Sequence, residues 1–531
     1  MAGSGSRLAG FAWFLVLGLM GCGGGGSSSV APPPDFSISA SPSSVSTEVG
    51  TTTSPVTITV TAQNGFTGSV GIMLQGIPPG VTASPSSSFS LAGGTNQPVT
   101  FNVADSATVG SSTISVVATS ATLSHTAQFI LTARAIVHAY QNGSMLFLES
   151  GTATDTARIG LETMWGGSIV EVSANGTNYI NRHDTGREVQ LSFRDGNDPN
   201  WNPTLGGDVY DQGTPTQAFM FDANSLYTKA IPLQWSPDFY GGGAGRPVPG
   251  DVLVEQTITA VTDHPHTFKA HYKATHLGND LHANTGQEFP AVYTNQDYNQ
   301  FVYYGGTSPW TNGAVTVTQL PDLPQFSPVL YVPEHWGALV DAQNVGLTVY
   351  VPSQYPYVVG FSAPDPGPGG STDNATNYFA PTPSLTLAPG FVFEGDIYLI
   401  AGDYAIARQI VYQLHQSLNA PDIFAPTGAT DTPSPGSIIG GLTTVSGWTF
   451  DDVNVAKVEV LVDGVADGVA TYGSPRPDIP AAIPNAPLNC GFSYSLDTTK
   501  YRNGPHMLNV RVTDTSGNVA VFSNIAVIIS N

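Results

Sequence analysis

The sequence predicts an all-β protein made of three successive sandwiches, and three observations predict it. Glycine (59) and proline (41) are abundant among the 531 residues. Short runs alternate apolar with polar residues almost from end to end, whereas only one stretch has helical spacing. The length itself suits about three units, each large enough to hold its own core. Charge then narrows the partners. Only 10% of residues are charged and the net charge is −23, so no nucleic-acid partner is expected, because phosphate-backbone binding needs clustered Lys and Arg.

The first element is expected to lie outside the fold. Arg7 precedes an apolar run, Leu8 to Met20, which is too short to cross a bilayer but suits a signal-peptide core. The run ends in Leu19-Met20-Gly21-Cys22 and is followed by GGGGSSS. This resembles the bacterial lipoprotein signal. The resemblance implies removal of residues 1–21, lipidation of Cys22 as the new N-terminus, and outer-membrane sorting in a Gram-negative host because Gly23 is not Asp. The expected location is therefore the bacterial envelope or cell surface, with the membrane as a partner through Cys22. The only other cysteine, Cys490, then lacks an intramolecular partner and reads as a small buried residue.

Residues 22–34 form a Gly/Ser then Pro-rich tether, reaching roughly 20–30 Å. Residues 35–135 follow with VTITVTA, SVGIMLQ, VTFNV, STISVVA and AQFILTA, separated by turns such as Asn64-Gly65. That spacing predicts a sandwich, and NGFTGSV with GIPPGVTASP resembles bacterial immunoglobulin-like repeats. Residues 420–531 predict a second small sandwich: VAKVEVLV runs into the turn Asp463-Gly464, and a later strand ends in DTSGN. With Gly447-Trp448 and GFSYSLDT it resembles another bacterial Ig-like module. Asp451, Asp452 and Asp514 read as turn residues rather than calcium ligands.

Residues 136–419 differ in kind, holding nine of the eleven histidines and five of the seven tryptophans. Alternation continues (GGSIVEV, VGLTVYV), and Asn175-Gly176 marks a two-residue hairpin. Trp165, against Gly166-Gly167, is expected in the core. The single helix is predicted over Tyr404–Leu418, with Ile406, Ile410, Val411 and Leu414 facing inward. An all-β unit of this size closing on one helix resembles the galactose-mutarotase-like β-supersandwich, a fold also used by glycoside hydrolases and polysaccharide lyases. The Asn-His-Thr-Tyr-Phe-Asn type strand of that family's catalytic histidine is missing here.

Chemistry-bearing residues gather in islands of this central unit. NRHDTGREVQLSF (residues 181–193) concentrates charge on a β-patterned background. Strand parity puts Val189, Leu191 and Phe193 on a core face, and Glu188, Gln190 and Ser192 on a polar one beside Arg187. Further islands hold Trp201, then Glu288 with Tyr293, then Trp310, then Glu334-His335-Trp336. Aromatic faces suit sugar C–H groups, while carboxylates, amides and Arg suit hydroxyls, so a carbohydrate or polysaccharide is the expected partner. Arg187, Glu188, Gln190, Trp201, Tyr293, Trp310, Glu334 and Trp336 are the expected ligand contacts. For catalysis Glu288 is the first acid/base candidate, on the expectation of an apolar setting. His183, His335 and Asp184 are its candidate partners. A non-catalytic glycan-binding, adhesive or structural role is the alternative.

No cofactor is expected. In DHPHTFKAHYKATHLGNDLH (residues 263–282), His266 and His276 share parity but lie roughly 33 Å apart along a strand. His271 falls beside Lys269 and Lys273, so no metal is assigned to the run. Asp195, Asn197 and Asp198 offer oxygen ligands suited to calcium, yet read more simply as a turn.

Overall fold

A computed structural model describes residues 32–183, 188–306, 309–320, 330–352, 357–362, 376–419, 425–451, 454–483 and 486–531. The protein is nearly all β, with sandwiches at both ends flanking a larger central one. In the first sandwich, four-stranded and five-stranded sheets enclose Phe36, Ile58, Phe101, Ile114 and Phe129. Alternation in VTITVTAQ buries Val56, Ile58 and Val60 completely. The last sandwich is likewise a four-stranded sheet on a five-stranded one around Val445, Val460, Phe492 and Val510. Its turn at Asp463-Gly464 has both residues at positive φ (51° and 80°), as a tight hairpin of right-twisted strands requires. Cys490 is buried and free.

The central region opens with a five-stranded antiparallel meander, Ile136 to Asn178. Its last hairpin turns at Asn175-Gly176, with φ of 49° and 83°. The elements that position side chains of interest are, in chain order, β1 (Val189–Ser192), β2 (Val252–Ala260), β3 (Thr267–His276), β4 (His282–Gly286), β5 (Glu288–Asn295), β6 (Trp336–Val340), β7 (Val345–Tyr350), β8 (Thr376–Pro381), β9 (Val392–Asp403) and α1 (Tyr404–Leu418). A six-stranded sheet runs Leu233–Gln234, Pro203–Thr204, β1, β5, β8, Tyr357–Ser362. A nine-stranded sheet runs Thr216–Phe221, Ser225–Ala230, β2, β3, β9, β7, β6, Gln300–Tyr303, Thr316–Gln319.

One core joins these sheets. Val189, Leu191, Phe289, Val292 and Phe379 of the six-stranded sheet meet Phe268, Leu339, Leu347, Val349 and Leu399 of the nine-stranded sheet. The opposite face of β6, β7 and β9 packs under α1 through Trp336, Tyr350, Tyr398, Ala407, Ile410, Val411 and Leu414. Helix α1 has the predicted limits, and the Asp403 carboxylate accepts from the amides of Ala405 and Ile406 at its start. One expectation about it is corrected. Ile406 is 60% exposed, and Ala407 occupies the inward stripe instead, because 407, 410, 411 and 414 share one face at 3.6 residues per turn. Trp165 is half-buried rather than a core residue.

Candidate functional site

Parity on β1 builds the first surface. Val189, Leu191 and Phe193 enter the core, as the pattern predicts. Glu188, Gln190 and Ser192 turn to the outer side of the six-stranded sheet. On β5, Phe289 and Val292 point inward while Ala291 and Tyr293 share an outer cluster with Tyr378 and Ala380 of β8. Glu288 joins this outer face. Its Oε1 accepts from the Arg194 guanidinium at 2.9 Å and from the Tyr378 hydroxyl at 3.0 Å. The expected apolar setting for Glu288 is thus corrected: neighbouring Phe289 faces the core, so successive residues of the strand see opposite environments.

The electrostatics follow from this contact. Burial pushes the Tyr378 phenol well above its usual range, and the Glu288 charge adds to the effect. Burial alone would lower the Arg194 value, but the Glu288 charge outweighs it and holds the guanidinium charged. Tyr293 stacks obliquely on Tyr378 with centroids 5.0 Å apart. Arg194 keeps 51% of its side chain exposed and Glu288 keeps 16%, so the pair is reachable from solvent. Gln190 and Ser192 are instead committed to local structure. Gln190 accepts from the Gly206 amide at 2.7 Å, and Ser192 Oγ accepts from Asn202 at 2.9 Å.

Glu188 is buried, and its carbonyl accepts from the Tyr293 amide. That register sets it five residues along β5 from Glu288, roughly 16 Å away. His183 is exposed, and its amide bonds the Asn181 carboxamide. The Asn181 amide in turn donates to the Tyr293 carbonyl, so His183 enters at the Tyr293 end of β5. Asp184, Arg187, Cys22 and Asp452 lie outside the described residues.

The Glu334 island lies elsewhere. Glu334 is fully buried beneath α1 and accepts five hydrogen bonds: from Arg408 Nε (3.1 Å) and an Arg408 terminal nitrogen (3.0 Å), Tyr412 Oη (2.6 Å), Trp336 Nε1 (2.9 Å) and the Trp310 amide (3.1 Å). Burial alone would raise its pKa, but the Arg408, Tyr412 and Trp336 bonds prevail and lower it. Glu334 and Trp336 are therefore corrected from ligand contacts to a packed hub. Trp336 has no exposed surface, since a residue at the start of an inner strand is covered once the helix docks. Trp310 stacks face to face on His415 at 3.6 Å, and His335 Nδ1 donates to the Pro352 carbonyl at 2.8 Å. This island sits on the outer, α1-covered side of the nine-stranded sheet, whereas Glu288 sits on the outer side of the six-stranded sheet. The shared core lies between them, so the Glu288 and Glu334 islands do not line one cleft.

Trp201 is also corrected. It is 5% exposed, belongs to the core, and stacks on His282 at 3.6 Å. The Asp195–Asp198 segment is a turn: Asp195 accepts from the Asn197 and Ala283 amides, and Asp198 from the Asn200 amide and the Tyr240 hydroxyl. Asp514 similarly accepts from the Asn518 amide. The histidine run disperses in part, His266 pairing with Asp155 and His271 with Asp396. His276 and His282, however, converge with Asp251 and Asp280, ligand atoms lying within 4.8 Å of one another.

Residues 426–510 match the family model of a bacterial Ig domain, so the C-terminal sandwich is of that class. No curated protein matches the chain. Among solved structures, an endo-β-1,4-mannanase from Thermotoga petrophila aligns at 19% identity over 24% of this chain and 25% of its own, TM-score 0.16. A polysaccharide lyase aligns at 10% identity over 75% of this chain and 47% of its own, TM-score 0.28. A heparan sulfate lyase mutant from Pedobacter heparinus aligns at 7% identity over 73% and 42%, TM-score 0.28. The chain spans a quarter to about half the length of these proteins, and scores of this size define no shared overall fold.

Proposed function

We propose that this is a lipid-anchored envelope protein whose central, galactose-mutarotase-like sandwich binds a carbohydrate on the outer face of its six-stranded sheet, without turning it over. The observation that carries this reading is the Arg194–Glu288–Tyr378 contact beside the Tyr293 ring. A fixed guanidinium and carboxylate next to an aromatic face match the hydroxyl and C–H sides of a sugar. Two features favour binding over hydrolysis. A two-carboxylate glycosidase holds its acids about 5–9.5 Å apart, whereas among the described residues the backbone of Glu188 stands roughly 16 Å from that of Glu288 along the strand and Glu334 is across the core. Tyr378, with its pKa raised by burial, serves better as a hydrogen-bond donor than as a base.

The test is binding of the full-length protein to immobilised neutral and uronic-acid glycans. Binding to at least one class is expected, and Arg194→Ala or Tyr293→Ala should weaken it about tenfold, equivalent to ~1.4 kcal/mol. Absence of binding across the panel defeats the reading; glycan cleavage abolished by Glu288→Gln would make the protein an enzyme instead. For the anchor, metabolic labelling with a fatty acid should mark the wild type and not Cys22→Ser.

A further inference from the structure

Asp251 immediately precedes β2, and His276 ends β3, where the register pairs Val252 with His276. The Leu277 amide donates to the Asp251 carbonyl at 2.7 Å, which seals this corner. A short loop carrying Gly278 and Asp280 then delivers His282 at the start of β4. Asp251 Oδ2 lies 3.3 Å from the Nε2 atoms of both His276 and His282. Asp280 approaches the same two nitrogens at 3.7 and 3.9 Å. Bonds of ~2.0–2.1 Å from a tetrahedral ion give ligand–ligand edges of about 3.3 Å, so two edges already have that length and the exposed Asp280 needs only a small approach.

Three further observations point to an occupant. First, the outer nitrogens fix the tautomers. His276 Nδ1 faces the Ala388 carbonyl at 2.9 Å and His282 Nδ1 faces Asp195 Oδ2 at 3.0 Å. Both partners only accept, so each Nδ1 carries hydrogen and each Nε2 is left to face the centre, the usual arrangement behind metal-bound imidazoles. Second, the imidazole side chains are 0% and 4% exposed, and Asp251 Oδ1 is buried with no hydrogen-bond partner. A buried carboxylate oxygen without a partner is costly, and a cation held by the same carboxylate would offset that cost. Third, a Cβ added at Gly278 would lie 2.5 Å from Asp280 Oδ1 and 2.6 Å from both Asp251 Oδ2 and His276 Nε2. The space among the ligands therefore exists only because residue 278 is glycine.

We propose that His276, His282, Asp251 and Asp280 hold one divalent ion of the zinc class. Two imidazoles and two carboxylates favour it over calcium or magnesium, which prefer oxygen alone. Four protein ligands make the site structural. It clamps the β2–β3 corner to β4 and, through His282, to Asp195. Arg194 is the adjacent residue, and its amide donates to Gln287 at 2.7 Å, so the ion braces the frame that presents Arg194 to Glu288. The site stands independently of whether that sheet face binds a glycan.

Elemental analysis of the full-length protein, purified without chelator, should find one zinc per chain. Chelation should lower the midpoint of thermal unfolding, and calorimetric titration with Zn²⁺ should restore a 1:1 stoichiometry. Gly278→Ala removes no ligand and needs no unusual φ, yet should abolish binding while circular dichroism stays unchanged. Asp195→Asn should weaken Zn²⁺ about 10–100-fold, and His282→Ala should eliminate it. The proposal is overturned if chelated protein fails to take up Zn²⁺, Co²⁺ or Ni²⁺. It is equally overturned if folded Gly278→Ala and His282→Ala bind as the wild type does, or if calcium alone binds.

Discussion

At the scale of single residues, the most committed side chain is Glu334. It ties α1 to β6 through Arg408, whose guanidinium also donates to the Gly313 carbonyl and lies over the rings of Tyr304, Trp336 and Tyr412 at 5.3–5.8 Å. Glu334→Gln leaves a buried guanidinium without its counter-charge and should cost about 3–5 kcal/mol, measured by urea denaturation. The pH dependence has a definite sign. The folded-state pKa of Glu334 is lowered, so its stabilisation is complete above the ordinary carboxylate range and is lost as pH falls through the folded value. The acid limb of the wild-type stability curve should therefore be flatter in Glu334→Gln; an unchanged limb would remove Glu334 from that account. Sequence marks Glu334 and Trp336 as chemically rich, but richness does not distinguish a ligand pocket from a packed hub. Arg408, an arginine inside the apolar stripe of α1 between Ala407 and Ile410, is the available sign that a buried acid must meet it.

At the scale of elements, strand parity and helical period were the most legible features. Parity on β1 correctly separates Val189, Leu191 and Phe193 from the face carrying Glu188, Gln190 and Ser192. It cannot show what crosses that face from other strands, such as Tyr378 of β8, whose hydroxyl bonds Glu288. Nor does it reach turns. His266 and His276 are indeed separated by an extended strand, but His276, Asp280 and His282 bracket a turn, where strand spacing no longer sets the distance. The helix is legible from its apolar spacing, and the structure adds Asp403 as its N-cap, a residue type well suited to that position. Asp403→Ala removes the acceptor for two orphan amides at the N-terminus of α1 and should destabilise the central region by about 1 kcal/mol. Equilibrium denaturation reads this directly, and Asp403→Asn should recover most of the loss; equal losses in both variants would make the effect electrostatic rather than a cap.

At the scale of the whole molecule, the three largest cores are separate. The first encloses only residues from Phe36 to Ala135, the central one begins at Ala139, and the last begins at Ile439. Composition and turn spacing made this division readable, because each module buries its own alternating strands. The surfaces where modules meet carry no such period and were not readable. Backbone bonds from the Ala135 amide to Thr262 and from the Ala153 amide to Asp105 link the first sandwich to the central one, and Tyr331 sets its ring edge against Phe450 of the last. Two hydrogen bonds of this kind are worth about 1–3 kcal/mol together, far less than the burial within any one core. Deleting residues 32–135 should therefore remove one calorimetric transition and move the others by about 2–12 °C at most, since about 1 kcal/mol shifts a domain of 150–250 residues by ~2–4 °C. Glycan binding and the zinc stoichiometry should survive the deletion, because all their residues lie between Arg194 and Tyr378. A collapse of the remaining transitions into one lower event would instead make the first sandwich an integral part of the central fold.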